Sequence, residues 1–252
     1  MANIRPGHHL SAPTERPQRV VPSEDDDMKD DQMPFGNAEF ADNAEQRCPC
    51  ILLLDTSGSM QGEAIDQLNE GLASFRRELA DDRLAAKRVD IAVITFGDHV
   101  DTVCQFGTVE TFQPPLLAAK GGTPMGEAVE RALDLLDARK AQYRQSGVPY
   151  YRPWMFLITD GAPTDEWKRA ARAVADAEHR KQVAFYAVGV ERADMDLLGE
   201  LSVREPLHLK GLAFAELFRW LSSSLSSVSR SSPGAAIALA NPAAPGGWAT
   251  VD

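Results

Sequence analysis

Five side chains that could ligate a metal through oxygen fall in three short segments of this 252-residue chain. The segments are Asp55-Thr56-Ser57-Gly58-Ser59, Gly121-Gly122-Thr123-Pro124 and Thr159-Asp160-Gly161. Asp55 and Asp160 bring carboxylates, while Ser57, Ser59 and Thr123 bring hydroxyls. An all-oxygen donor set suits a hard cation over zinc or copper: Mg²⁺ first, with Mn²⁺ or Ca²⁺ as alternatives. Mg²⁺ gives up its waters reluctantly, so a set of short side chains leaves room for water and one outside ligand. Gly58 lets the loop bend between the two serines. Taken singly, each segment is ordinary. Asp and Ser are common turn residues, and Thr123 before Pro124 reads as an N-cap followed by proline at the first helical position. The joint order and placement of the segments carry the reading.

Two segments directly follow apolar runs. Ile51-Leu52-Leu53-Leu54 precedes Asp55, and Trp154-Met155-Phe156-Leu157-Ile158-Thr159 precedes Asp160. Short continuous apolar runs of this kind are strands covered on both faces. Val89 to Phe96 and Val183 to Val190 read the same way, and His99 to Phe106 reads as a hairpin partner after the Gly97-Asp98 turn. Between them lie helical patterns. Ile65, Leu68, Leu72, Phe75 and Leu79 form one, and Met125 to about Tyr143 another. Trp167, Ala170, Val174 and Ala177 form a third, followed by a short helix at Met195 to Leu201 and a last one carrying Phe214, Leu217, Phe218, Leu221, Leu225 and Val228. Alternating strands and helices imply an α/β fold: a central, mostly parallel sheet flanked by helices on both faces, with one antiparallel hairpin strand. Ligands of such sheets bind beyond the carboxyl ends of the strands, where Asp55 and Asp160 stand.

Residues 1–46 are polar, Pro-rich and acidic, with the run Glu24-Asp25-Asp26-Asp27-Met28-Lys29-Asp30-Asp31. They read as a disordered tail, residues 47–230 as the domain, and the Ser-, Ala-, Pro- and Gly-rich residues 231–252 as a flexible tail. The formal net charge of −11 argues against a nucleic-acid backbone as main partner and suits a cation or a basic protein surface. No run approaches the ~20 apolar residues of a membrane helix, and Met1 to Val21 lack a secretory pattern, so the expected location is the cytoplasm. Three cysteines argue against a disulfide framework. Cys48-Pro49-Cys50 has no second Cys/His pair at zinc spacing and is expected to flank the first strand, and Cys104 reads as a small buried hydrophobe.

The pattern Asp55-x-Ser57-x-Ser59 with Thr123 and Asp160 resembles the metal-ion-dependent adhesion site (MIDAS) of von Willebrand factor A (VWA) domains, and the resemblance covers about residues 49–230. Gly121-Gly122-Thr123-Pro124-Met125-Gly126, Tyr150-Tyr151-Arg152-Pro153-Trp154 and Thr159-Asp160-Gly161-x-Pro163-Thr164-Asp165-Glu166-Trp167 resemble bacterial TerY-like VWA proteins more narrowly. Leu201-Ser202-Val203-Arg204-Glu205-Pro206, the serine-rich last helix and Gly246-Gly247-Trp248 do the same. The resemblance implies a Rossmann-like domain. It implies that Ser57, Ser59 and Thr123 touch the metal directly and that Asp55 and Asp160 act through bridging waters. It also implies that a protein partner's Asp or Glu fills the open position. TerY-like proteins are associated with tellurite resistance and stress response, and they accompany a PP2C-type phosphatase and a protein kinase.

The leading functional reading is therefore a metal-dependent protein-binding module and not an enzyme. The alternatives are an accessory subunit of an AAA+ ATPase and a metal-dependent hydrolase. The hydrolase needs a base near the ion, yet His99 reads as part of a hairpin, and His179 and His208 sit at element ends far in sequence from the site loops. The loops at Met60-Gln61, Pro124-Met125 and Ala162-Pro163-Thr164 are expected to contact the partner around the metal.

Overall fold

The computed structural model of the protein describes residues 38–251, so the acidic run and the rest of residues 1–37 lie outside the described residues. Seven strands form one sheet: β1 (Cys48–Asp55), β2 (Val89–Phe96), β3 (Val100–Thr108), β4 (Trp154–Thr159), β5 (Ala184–Gly189), β6 (Leu207–Leu209) and β7 (Ala249–Thr250). Their order across the sheet is β3-β2-β1-β4-β5-β6-β7. β1 pairs in parallel with both β2 and β4, and β4–β5 and β5–β6 are also parallel. The expected hairpin places β3 antiparallel to β2 at one edge, and an unexpected second antiparallel strand, β7, closes the other edge against β6. The chain winds outward from β1 to β2, then crosses back to β4 on the other side. The strand order therefore reverses between β1 and β4, which is the topological switch point of the sheet.

β1 shows why the sheet sits in the middle. Every residue in it is buried. Side chains alternate in direction along a strand. Cys48, Cys50, Leu52 and Leu54 accordingly join one hydrophobic cluster, and Ile51 and Leu53 join another. The first cluster is covered by α2 (Glu63–Asp81) and α7 (Phe214–Ser229) through Ile65, Leu68, Leu72, Phe75 and Leu79 and through Phe214, Leu217, Phe218, Leu221 and Leu225. The second is covered by α4 (Met125–Gln145), α5 (Lys168–His179) and α6 (Met195–Leu201). Each buried Leu or Ile stabilises this sandwich by roughly 1.5–3 kcal/mol. A short helix absent from the sequence reading, α3 (Arg83–Arg88), starts directly after α2 because the Asp82 carboxylate accepts the amides of Leu84 (3.1 Å) and Ala85 (3.3 Å).

Several boundaries move. Cys48 and Cys50 do not flank the first strand but lie inside it, fully buried, with burial pushing the Cys48 thiol up to about 12. Cys104 is only half-buried in β3. Within the expected N-terminal tail, residues 38–46 pack on the domain. Helix α1 (Ala38–Asp42) buries Phe40 against Tyr143 and Val148, and Glu39 bonds Arg139 at 2.7 Å. Arg139 in turn holds buried Asp90. At the other end the domain does not close at residue 230. Trp248 and Ala249 are buried, Trp248 O accepts from Lys210 N at 3.0 Å, and Trp220 Nε1 donates to Ala240 O at 2.7 Å. Most apolar residues of this segment are alanines and its large apolar side chains are few, so no periodicity marked it. One tryptophan and two partly buried aliphatics, Ile237 and Leu239, are enough to hold it to the core. Among the described residues, no helix is long and apolar enough to cross a membrane.

Candidate metal centre

All three segments meet at the carboxyl ends of β1 and β4, at the switch point. Asp55 is the last residue of β1, and Asp160 directly follows β4. A one-turn 3₁₀ segment, Gly58–Met60, follows Ser57 and is anchored by the fully buried Met60. It brings the two serine hydroxyls within 2.9 Å of each other. Ser59 Oγ then donates to Asp160 Oδ1 at 2.7 Å, joining residues 101 positions apart. The second segment lies beside them: a Cβ built on Gly161 would lie 3.5 Å from Thr123 Oγ1, so the Thr123 hydroxyl stands over the residue after Asp160. Among the described residues the Thr123 hydroxyl has no hydrogen-bond partner, although Thr123 is buried. All five expected residues are thus brought together.

The loops are locked backbone to backbone. Gly58 N donates to Gly121 O at 3.0 Å, and Lys120 N donates to Thr56 O at 2.7 Å. Gly121 has φ 84°, and a Cβ there would overlap the backbone of Asp98, so only glycine fits. Thr123 O accepts from Thr164 N at 2.9 Å, and Thr123 N donates to Thr164 Oγ1 at 3.0 Å. Thr123 is not the cap expected of it. Pro124, not Thr123, occupies the N-cap position of α4, and the open amides of Gly126 and Glu127 are accepted by the Asp165 carboxylate at 3.0 and 2.8 Å. Capping by another loop leaves the Thr123 hydroxyl free for a ligand.

Asp55 is fully buried. Its Oδ1 accepts from Ser57 N at 2.7 Å and its Oδ2 from Thr159 Oγ1 at 2.5 Å. Burial, reinforced by the neighbouring Asp160 charge, outweighs these hydrogen bonds and raises its carboxyl to about 6. No Lys, Arg or His among the described residues pairs with Asp55 or Asp160. Two close carboxylates without a protein cation, beside three hydroxyls, fit a hard divalent ion. No group of three or more His, Cys, Asp or Glu among the described residues could hold a metal, so any ion here depends on the hydroxyls.

Sequence reasoning missed two supporting residues. Thr159 holds Asp55 and accepts from Gly161 N at 3.2 Å, and Asp165 caps α4. Both lay within recognised motifs, but their partners are distant in sequence. Of the expected rim, Met60 and Met125 are fully buried and cannot touch a partner, whereas Gln61, Ala162 and Thr164 are exposed.

Solved structures share this architecture. The pilus adhesin SpaC from Lactobacillus rhamnosus GG matches with a TM-score of 0.58 and 16% identity, over 74% of this chain and 31% of that one. The vWF domain of the type V pili tip protein Mfa5 from Porphyromonas gingivalis matches with a TM-score of 0.54 and 11% identity, over 76% and 99%. Proximal thread matrix protein 1 from the mussel byssus matches with a TM-score of 0.50 and 15% identity, over 73% and 49%. This chain spans about half the length or less of the first structures it matches. At such identities the likeness is one of fold. No curated protein matches. The von Willebrand factor type A domain matches residues 50–210, a stretch that runs from β1 through β6 and includes all three site segments. With the doubly wound sheet and the site at its switch point, this match shows that the chain belongs to the von Willebrand factor type A domain family.

Proposed function

We propose that this domain is a metal-dependent protein-binding module whose site is held together by a divalent cation, Mg²⁺ first. The observation that carries the reading is Asp55: a fully buried carboxylate, beside Asp160, with no cationic side chain to balance it. Burying an unbalanced charge is costly, and a hard cation offsets the cost. Ser57, Ser59 and Thr123 would supply neutral oxygens, with Asp55 and Asp160 behind them. Bound there, the ion supplies positive charge at an open coordination position, which a hard anionic oxygen satisfies. A partner Asp or Glu is the protein group of that kind. Exposed Gln61, Ala162 and Thr164 flank the position and would add the surrounding contacts.

We read the module as binding rather than catalytic, because none of the hydrogen bonds at the site involves a histidine or other general base beyond the two carboxylates themselves. The narrower TerY-like motifs support a cytoplasmic role in a stress response, beside a protein kinase and a PP2C-type phosphatase. Three free cysteines among the described residues fit a reducing compartment.

Calorimetry with Mg²⁺ and Mn²⁺ tests the site. One binding event is expected for the wild type and none for Asp55→Ala, with circular dichroism showing both folded. Equal binding by the two proteins would sink the assignment. A partner captured from the native host should leave in EDTA and return with Mg²⁺, and a complex indifferent to EDTA would rule out docking through the metal.

A further inference from the structure

A cleft lies at the amino end of β4, the end opposite the candidate metal centre. Its floor is the chain entering β4, Tyr150 to Trp154, whereas the metal centre lies beyond the carboxyl end of the same strand. The cleft holds about 710 Å³, within the range of small-molecule sites. Four cationic side chains line it, Lys140, Arg144, Arg152 and Lys181, and no Asp or Glu does, in a chain of net charge −11.

These cations fall into two kinds. Lys140 and Arg152 are fixed: Lys140 Nζ meets Asp137 Oδ1 at 2.5 Å, while Arg152 donates to Glu178 Oε2 at 2.5 Å and Val183 O at 2.7 Å. Arg144 and Lys181 are exposed and have no carboxylate partner among the described residues. Arg144 spends one donor on Tyr150 Oη at 3.2 Å, which positions the guanidinium and leaves its other N–H groups open. An exposed Arg and Lys are by themselves ordinary solvated surface. Two further observations set this pair apart. Apolar groups face them across the cleft, with Ile237 and Leu239 of the C-terminal segment half-buried beside Trp154. In addition, Lys181 has φ 57°, in the left-handed region just past α5, where glycine is the low-cost residue. Lys181 N donates to Glu178 O at 2.9 Å and Gln182 N to Ala177 O at 2.8 Å, so this left-handed turn closes α5 and fixes the point at which the lysine side chain leaves the backbone beside the cleft.

We propose that this cleft binds a small phosphate-bearing molecule with an apolar or aromatic body, the class to which nucleotides belong. The guanidinium of Arg144 and the ammonium of Lys181 take the phosphate oxygens. The wall of Ile237, Leu239 and Trp154 takes the ring. The volume is too large for an inorganic anion alone, and the acidic surface elsewhere disfavours a nucleic-acid polymer.

ADP is the probe, titrated into the full chain by calorimetry in EDTA, so that the metal centre plays no part and the outcome is independent of the metal reading. One site is expected, weakened by high salt, with pyrophosphate binding more weakly than ADP and adenosine more weakly still. Arg144→Gln and Lys181→Gly should each cut ADP affinity by about tenfold. Lys181→Gly should also melt at the same temperature as the wild type or higher, because glycine relieves the left-handed strain; binding is then lost without loss of fold. The proposal is overturned by absence of ADP binding at millimolar concentration or by wild-type affinity in both variants. It is equally overturned by adenosine or pyrophosphate binding as tightly as ADP.

Discussion

At the residue scale, Asp55 couples charge to stability. Its folded-state carboxyl, at about 6, lies above its ordinary value of 3.8. A raised acid favours the fold when protonated. That contribution is complete below about pH 4 and is lost as pH rises through 6, a change of about 3 kcal/mol. A divalent cation favours the ionised form and reverses the loss. The Mg²⁺-induced rise in melting temperature should therefore be small at pH 5 and large at pH 7.5. A rise of equal size at both pH values would mean that the ion does not engage this carboxylate. The hydroxyls behave differently, since they do not titrate, and they leave the ion most of its charge for a partner.

At the element scale, helix α4 depends on a loop it does not belong to. Its first amides are satisfied by Asp165, and the same loop packs so closely on Gly126 that a Cβ would overlap Glu166 O. This arrangement ties the second site segment to the third. Asp165→Ala leaves two amides without their carboxylate and should cost about 1 to 2 kcal/mol in urea denaturation. Because Thr123 stands next to the N-cap residue Pro124, the variant should also weaken Mg²⁺ binding. A loss of stability with metal affinity unchanged would show that the cap serves the helix alone. Reciprocal bonds between Thr123 and Thr164 offer the route by which one loop sets the other.

At the scale of the whole molecule, the C-terminal segment completes the sheet and one layer. Trp248 packs edge-on against Trp220, with ring centres 5.7 Å apart, and Trp220 stacks on Trp154. Trp248→Ala should cost about 3 kcal/mol by the measure of large aromatic deletions from cores. Limited trypsin digestion should leave a fragment that extends beyond Arg230, and a stable product ending at Arg230 would return the boundary to where composition alone had set it. The two proposed sites lie at opposite ends of β4: the candidate metal centre beyond its carboxyl end, and the basic cleft at its amino end.

Much of the protein was legible in one dimension. The continuous apolar runs of β1 and β4 and the three-and-four spacing of α2 and α7 are local patterns, so they name buried strands and amphipathic helices without knowledge of any partner. Asp55 and Asp160 were readable for the same reason, since each directly follows such a run. Contacts between distant residues carry no such mark. β6 and β7 are two or three residues long and exist only because they pair along a sheet edge. Thr159 and Asp165 look like turn residues until Asp55 and α4 are placed beside them. Met60 and Met125 look like a rim until the core covers them. The basic cleft gathers its cations from the end of α4, the entry to β4 and the turn after α5, with apolar groups from beyond residue 230. Tertiary structure alone decides these, because burial and electrostatic balance are set by neighbours in space, whereas periodicity is set by neighbours along the chain.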